Sequence, residues 1–166
     1  GPAVVRYPRG EGLGIHVKES LENYEIGVSK NVRSGENIVI LCFGSVLDIC
    51  LDVAEEMNCS LIDMRFIKPI DREAILKSAE NHSVIVTVED NSIMGGAGSA
   101  VNEVLSENSI SSKIINVGTP DKFFNHATRE QQLHESGISK ENIIDKIQNC
   151  IENNHLYDLN HSSNID

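Results

Sequence analysis

The amino-acid sequence predicts an α/β domain built on a largely parallel sheet with helices on both faces. Short β-branched apolar runs alternate with segments of helical periodicity, the order that generates βαβ units. Those runs are apolar at consecutive positions, as strands buried on both faces are. A length of 166 residues, 40% of them apolar, is enough for one domain with a sizeable core.

Residues 1 to 35 hold Gly/Pro turns and one alternating run, Tyr24 to Val32, predicted as an edge strand. Ile38 to Phe43 is the first core strand. Ser45 is expected to cap a helix with Val46, Ile49, Cys50, Val53, Ala54 and Met57 on one face, and Asp48 at its third position adds a weak capping-box pattern. Leu61 to Met64 is a second core strand, Lys68-Pro69 enforces an extended stretch, and Asp71 caps the next helix. Lys113 to Val117 supplies a further strand. Thr128 to Gln131 reads as a capping box, and Ser139 opens a last helix with Ile143, Ile144, Ile147, Cys150 and Ile151 inward. From about Asn153 the chain is polar, rich in Asn, Ser and His, and predicted to be a mobile, disordered tail.

The densest stretch is residues 83 to 105, SVIVTVEDNSIMGGAGSAVNEVL. Val84, Ile85, Val86 and Val88 form a buried strand, which Glu89 and Asp90 are expected to end. Ala97, Ala100, Val101, Val104 and Leu105 then recur at helical spacing. Between them, Gly95, Gly96 and Gly98 make a tight joint. A phosphate cradle is one reading, because glycine turns opening a helix aim free N–H groups at anions. The spacing gives only G-G-x-G, with neither G-x-G-x-x-G nor G-K-[ST], and two acids lie just upstream. Close packing of helix on strand is therefore the favoured reading.

Few other residues point to chemistry. Glu89 and Asp90 lie at the carboxyl end of a strand, where open α/β sheets bind ligands, yet adjacent strand residues face opposite ways. A structural polar network is favoured over acid–base catalysis, with Arg65, on the same strand face as Asp63, offered as an ion-pair partner for one of the two acids. His126 and His134 suit surface or capping roles, and His155 and His161 have no metal-ligand spacing. The cysteines Cys42, Cys50, Cys59 and Cys150 lack C-x-x-C spacing, and all but Cys59 fall in apolar patterns, which favours reduced core thiols. No G-x-S-x-G or H-E-x-x-H occurs.

The net charge of −11 is uneven: residues 1 to 35 carry five Lys/Arg against four acids, the remainder nine against twenty-one. An acidic body without basic-aromatic interleaving argues against a nucleic-acid partner. No segment approaches a membrane span or a signal peptide. Arg6 and Arg9 form the one local basic cluster where an anionic substrate is expected.

The order RYPRGEG (6–12), SLIDMRFIKPID (60–71), VTVEDNSIMGGAGSAVNEVL (86–105) and VGTPDKFFNHATREQQLHESGIS (117–139) closely resembles the C-terminal part of the 1-deoxy-D-xylulose-5-phosphate synthase family. The resemblance covers nearly the whole chain except its tail. Transketolases and the β subunits of 2-oxo-acid dehydrogenases share this last domain, but DMRFIKP and IMGGAGSAVNEVL are strings particular to the synthase. The resemblance implies a three-layer α/β/α sandwich around a five-stranded, mostly parallel sheet with one antiparallel strand. Its first strand would be Tyr24 to Val32, joined by a hairpin-like turn at Ser34-Gly35-Glu36 to the strand near Asn37.

The resemblance also implies a thiamine-diphosphate and Mg²⁺ dependent homodimer that joins pyruvate to glyceraldehyde 3-phosphate with loss of CO₂, feeding isoprenoid, thiamine and pyridoxal synthesis. Residues 1–22 would be the end of the middle domain and a linker, 23–152 the transketolase C-terminal-like domain, and 153–166 the tail. The family's metal-diphosphate motif, G-D-G followed by an asparagine, has no counterpart here, nor has its ring-activating glutamate. The fragment is therefore expected to bind neither cofactor nor metal, to be inactive alone, and to serve packing of the dimer. Arg9, in RYPRG, is expected to bind the substrate phosphate, which a guanidinium fork matches and Pro8 helps to approach; Arg6 is a weaker candidate. A stand-alone α/β binding or regulatory module is the alternative. The family's location would be a plastid-type organelle in a eukaryote and the cytoplasm in a bacterium.

Overall fold

The computed structural model describes residues 1–5, 7, 14 and 23–162, with 153–162 as backbone only. Five strands, β1 (Lys30–Arg33), β2 (Ile38–Phe43), β3 (Ser60–Asp63), β4 (Val84–Ser92) and β5 (Lys113–Thr119), form one sheet in the order β1-β3-β2-β4-β5. β1 is antiparallel to β3, and every other pairing is parallel. The helices are α1 (Leu47–Glu56), α2 (Arg72–Asn81), α3 (Ala97–Glu107), α4 (Arg129–Ser136) and α5 (Lys140–Ser162). The architecture is thus the α/β sandwich with one antiparallel strand that the sequence led us to expect.

Alternation along the central strands divides the core into two layers. Ile38, Ile40 and Cys42 of β2 with Val84, Val86 and Val88 of β4 face α1 and α5, meeting Cys50, Val53, Ile143 and Ile147. Val39, Leu41 and Phe43 with Ile85 face α2 and α3, meeting Ile75, Val101, Val104 and Leu105. The placement of helices obeys right-handed crossover: the step from β2 out to β3 puts α1 on one face, and the reverse steps to β4 and β5 put α2 and α3 on the other.

Three local expectations are corrected. The first strand is shorter than Tyr24 to Val32 and does not form a hairpin with β2, because β3 lies between them. After Arg33 the chain crosses the amino end of β3, where a Cβ on Gly35 would overlap the Asn58 carbonyl. Ser60 Oγ accepts from Gly35 N (2.9 Å), and Arg33 donates to Cys59 O (2.5 Å) and Asn58 Oδ1 (2.9 Å), fixing the crossing. Secondly, Ser45 does not cap α1: Val46 is the N-cap, without a side-chain cap bond. Thirdly, α5 runs on to Ser162, beyond Asn153, since a nucleated helix gains a hydrogen bond per added residue without needing an apolar face. Residues 163–166 lie outside the described residues.

The other caps follow the sequence. Asp71 accepts from Ala74 N (3.0 Å) and also from Ser29 N (2.8 Å), tying the segment before β1 to α2. Thr128 and Gln131 form a reciprocal capping box on α4, which ends on Gly137 at φ +82°. All four cysteines are free; Cys42, Cys50 and Cys59 are buried and Cys150 half-buried. Cys59 lies outside any apolar alternation, yet burial pushes its thiol up to about 11 against the opposing pull of Arg33.

Candidate functional site

The chain leaves β2 toward one side of the sheet and β4 toward the other, so the carboxyl ends of these neighbours flank the topological switch point, the usual ligand crevice of an open α/β sheet. Two joints meet there: Gly44-Ser45 between β2 and α1, and the stretch from Glu89 to Gly96 between β4 and α3. β4 does not end at Glu89 and Asp90 as expected but continues to Ser92. Its register with β5 slips between Val88 and Ser92, a distortion that re-aims the side chains between.

Glu89 and Asp90 therefore have opposite environments. Glu89 is 3% exposed and accepts from Ala97 N (2.8 Å) and Gly98 N (2.9 Å), two first-turn amides of α3. α3 has no side-chain cap and no acid in its own first turn. A carboxylate from the preceding strand thus fills the position that an external anion would take at this helix end, satisfying its free donors and its dipole.

The glycines shape this contact. A Cβ on Gly96 would overlap Ser92 O and the Glu89 carboxylate, and one on Gly98 would come within 2.6 Å of Thr87 Oγ1 and 3.0 Å of Asn116 Oδ1, which are themselves hydrogen-bonded at 2.8 Å. Gly95 differs: space around it is open, but its φ of +72° suits glycine.

Asp90 points outward and accepts from Ser45 Oγ. Arg129 of α4 donates to Ser45 Oγ (2.8 Å) and Ser45 O (3.1 Å), and its Nη2 lies 3.8 Å from the Asp90 carboxylate. Gly44, at φ +83°, brings the β2 joint against Asp90. Beside this latch lies a cavity of about 280 Å³ lined by Asp90, Thr119, Phe124, Arg129, Gln132 and Leu133. It is slightly smaller than the roughly 300 Å³ at which small-molecule pockets begin. Its two charges are already paired with each other and with a serine, an arrangement that holds α4 to both joints and offers no free nucleophile or base.

Arg65 is not the partner of either acid. It lies past the end of β3 and not on that strand's face as expected, with Nε 3.5 Å from Asp63, stacks over Tyr24 at 4.1 Å, and adopts a left-handed φ of +56°. Arg129, the partner Asp90 has instead, went unsuspected because it belongs to a capping box far along the chain. His134 lies in α4 and His126 in the loop before it, and neither lines the cavity. Arg6 and Arg9 lie outside the described residues, as do the side chains of His155 and His161. Among the described residues no group of three His, Cys, Asp or Glu is placed to hold a metal, and no helix is long and apolar enough to cross a membrane.

Comparison with known proteins gives a consistent result. Residues 27–143 match the family described as "Transketolase, C-terminal domain". The 1-deoxy-D-xylulose-5-phosphate synthase of Psychromonas ingrahamii is 44% identical over 145 residues, covering 84% of this chain and 23% of that protein. The synthase of Photobacterium profundum is 47% identical over 134 residues, covering 81% and 22%. The chain spans under a quarter of the length of these relatives. Among solved structures, "Split gene transketolase, inactive beta4 tetramer" superposes with TM-score 0.71 at 29% identity, over 79% of this chain and 43% of that one. Campylobacter jejuni transketolase, at 13% identity and TM-score 0.52 over 74% of this chain and 18% of its own, shares the fold.

Proposed function

The chain belongs to the transketolase C-terminal domain family, and from that premise we propose that it is the last domain of a 1-deoxy-D-xylulose-5-phosphate synthase, serving packing and assembly. The identities of 44% and 47% to synthases support the enzyme assignment. The whole protein would join pyruvate to glyceraldehyde 3-phosphate with loss of CO₂, thiamine diphosphate supplying the carbon–carbon bond chemistry. The described residues do not fit Mg²⁺ or the cofactor diphosphate, since no acidic cluster converges and the helix end nearest the switch point is filled. Those groups belong to the part of the longer protein outside this chain.

The observation that carries the structural reading is Glu89, whose carboxylate seals α3 from within. On this reading Gly95, Gly96 and Gly98 form a packing joint, residues 23–152 make the domain, and residues 1–22 lead in from the preceding one. Calorimetric titration of the chain with thiamine diphosphate and Mg²⁺ should give no saturable heat. Saturable binding would overturn the reading and make the switch point a ligand site.

Arg9 is assigned to the phosphate of glyceraldehyde 3-phosphate. In the longer enzyme, Arg9→Ala should weaken use of the phosphorylated acceptor by on the order of 2 kcal/mol of transition-state binding while an unphosphorylated aldehyde loses little. Arg9→Lys, which keeps the charge without the fork, should recover part of the loss. Equal losses for both acceptors would remove Arg9 from the site. The split-gene neighbour, described as a β4 tetramer, supports oligomerisation of the longer protein, for which the homodimer is the form we propose. The relatives named above are bacterial, which favours the cytoplasm and lends no support to a plastid.

A further inference from the structure

We infer that the segment DMRFIKPID (63–71) is the seat of a strap, residues 24–29, by which the chain enters the domain, and that Arg65 is the pin that holds it. This rests on the reading that residues 1–22 lead in from a preceding domain, and it names the device that sets the direction of entry. The string takes no part in the switch point, yet its backbone is unusual. Phe66 N donates to Met64 O (2.5 Å) around Arg65 at φ +56°, a γ-turn of the rare, strained form.

Such strain persists only where the surroundings over-determine it, and it marks a side chain held for a purpose. The core side is fixed: Met64 is fully buried, its N–H donates to Cys42 O (2.9 Å), and Ile70 packs against the α2 and α3 layer. A good ion pair is not what the turn secures. Asp63 accepts from Arg65 N (3.2 Å) and so serves the turn itself, while Arg65 Nε, 3.5 Å from the same carboxylate, is buried without a hydrogen-bond partner. The guanidinium lies instead over the ring of Tyr24, 4.1 Å from its centroid, on a side chain only 20% exposed. Desolvation of this kind strengthens a cation–π contact.

Two further ties join the strap to the same segment, each by different chemistry. Glu25 to Val28 form a β-turn closed by Val28 N donating to Glu25 O (3.3 Å), with Gly27 at φ +79° in the third position, as a type II turn requires. That turn sets Gly27 against Pro69, where a Cβ would come within 3.0 Å of the ring. Ser29 N then donates to Asp71 Oδ2 (2.8 Å). The contacts fall in order, Tyr24 to Arg65, Gly27 to Pro69 and Ser29 to Asp71, so strap and seat run in the same direction. β1, only four residues long, begins directly after the strap. A chain that β1 alone would leave free to swing is thus held from Tyr24 onward.

Amide hydrogen exchange of the 166-residue chain tests the inference. The Val28 and Ser29 amides should exchange slowly in wild type and about fivefold faster in Arg65→Ala, the loss expected of one cation–π contact, while the amides of β2 and β4 stay unchanged. Tyr24→Ala should do the same, Tyr24→Phe, which keeps the ring, should not, and the double variant with Arg65→Ala should add nothing to either single one. Arg72→Ala removes a cation of the neighbouring helix, paired with Glu107, and should leave both amides as in wild type. Free exchange of Val28 and Ser29 in wild type would overturn the strap. Slow exchange indifferent to Arg65→Ala and Tyr24→Ala would overturn Arg65 as its pin, and in both cases the enzyme assignment stands. In the longer protein, chymotryptic cleavage after Tyr24 should quicken in Arg65→Ala. Cleavage at the wild-type rate there, with faster exchange in the chain alone, would keep the strap and overturn its role at the entry from a preceding domain.

Discussion

The two joints at the switch point solve the same problem differently. Between β2 and α1, Gly44 and Ser45 turn the chain, Val46 begins the helix without a side-chain cap, and the one hydroxyl at hand faces Asp90 and Arg129 outside. Between β4 and α3, the amides of Ala97 and Gly98 are satisfied from within by buried Glu89, and the glycines let backbone and carboxylate close up. One joint is a surface latch and the other an internal seal. Neighbouring acids on one strand thus differ in what they are worth, because exposure to water weakens a charge contact while burial makes its loss expensive.

The largest effect should come from closing the seal sterically. Gly96→Val places a side chain where Ser92 O and the Glu89 carboxylate already are, so it both overpacks the joint and displaces the cap. We expect a loss of roughly 4 kcal/mol, seen as a fall of more than about 8 °C in melting temperature. An unchanged melt would mean that the joint relaxes freely. Glu89→Ala should come next, at about 2 to 3 kcal/mol by urea denaturation, for it leaves two buried amides without acceptors. Glu89→Gln, retaining one acceptor oxygen, should recover part.

Asp71 lies between these extremes, half-buried at the start of α2. Burial pushes its carboxyl up, but the amides of Ser29 and Ala74 outweigh this and hold it below the ordinary value. A carboxyl lowered in the folded state stabilises fully above the unfolded value of about 3.9, and that contribution fades as pH falls through the lower folded value. Asp71→Ala should cost about 1 kcal/mol at neutral pH. The gap in melting temperature between wild type and Asp71→Asn should hold constant above about pH 5 and shrink below about pH 4. A gap that widened in acid would reverse the assignment.

The smallest effect is expected at the latch. Asp90→Ala and Arg129→Ala should each lower stability by no more than about 1 kcal/mol, and less in 0.5 M salt, since both side chains are about a third exposed. If Arg129→Ala proved as costly as Glu89→Ala, the contrast between the joints would collapse.

Much of the fold was legible because the signals are local. The alternation in β2 and β4, the Asp71 cap and the Thr128 box lie within a few residues of what they determine. The pairing of β1 was not, because Ser34-Gly35-Glu36 looks like a hairpin turn whatever strand lies beyond it. Only the fit of Gly35 on the Asn58–Cys59 backbone, distant in sequence, shows that β3 intervenes. The site divides in the same way. Close packing at the glycines could be argued from their spacing, but the identity of what packs there, the carboxylate of Glu89, depends on the slip in β4 and has no sequence signature. Ser45 looked like a cap on composition alone; its hydroxyl is drawn away by Asp90 and Arg129, which only the folded sheet brings to it.

The antiparallel edge strand β1 has a bearing on purity as well as architecture. An open strand edge is a template on which unlike chains can add as extra strands and grow without limit. β1 is only four residues long, begins with an exposed lysine, slips register between Asn31 and Arg33, and sends Arg33 back to grip Cys59 O rather than outward. A strand so short, charged and kinked gives little purchase for strand-by-strand growth. Strand-by-strand growth from this edge of the sheet is therefore disfavoured.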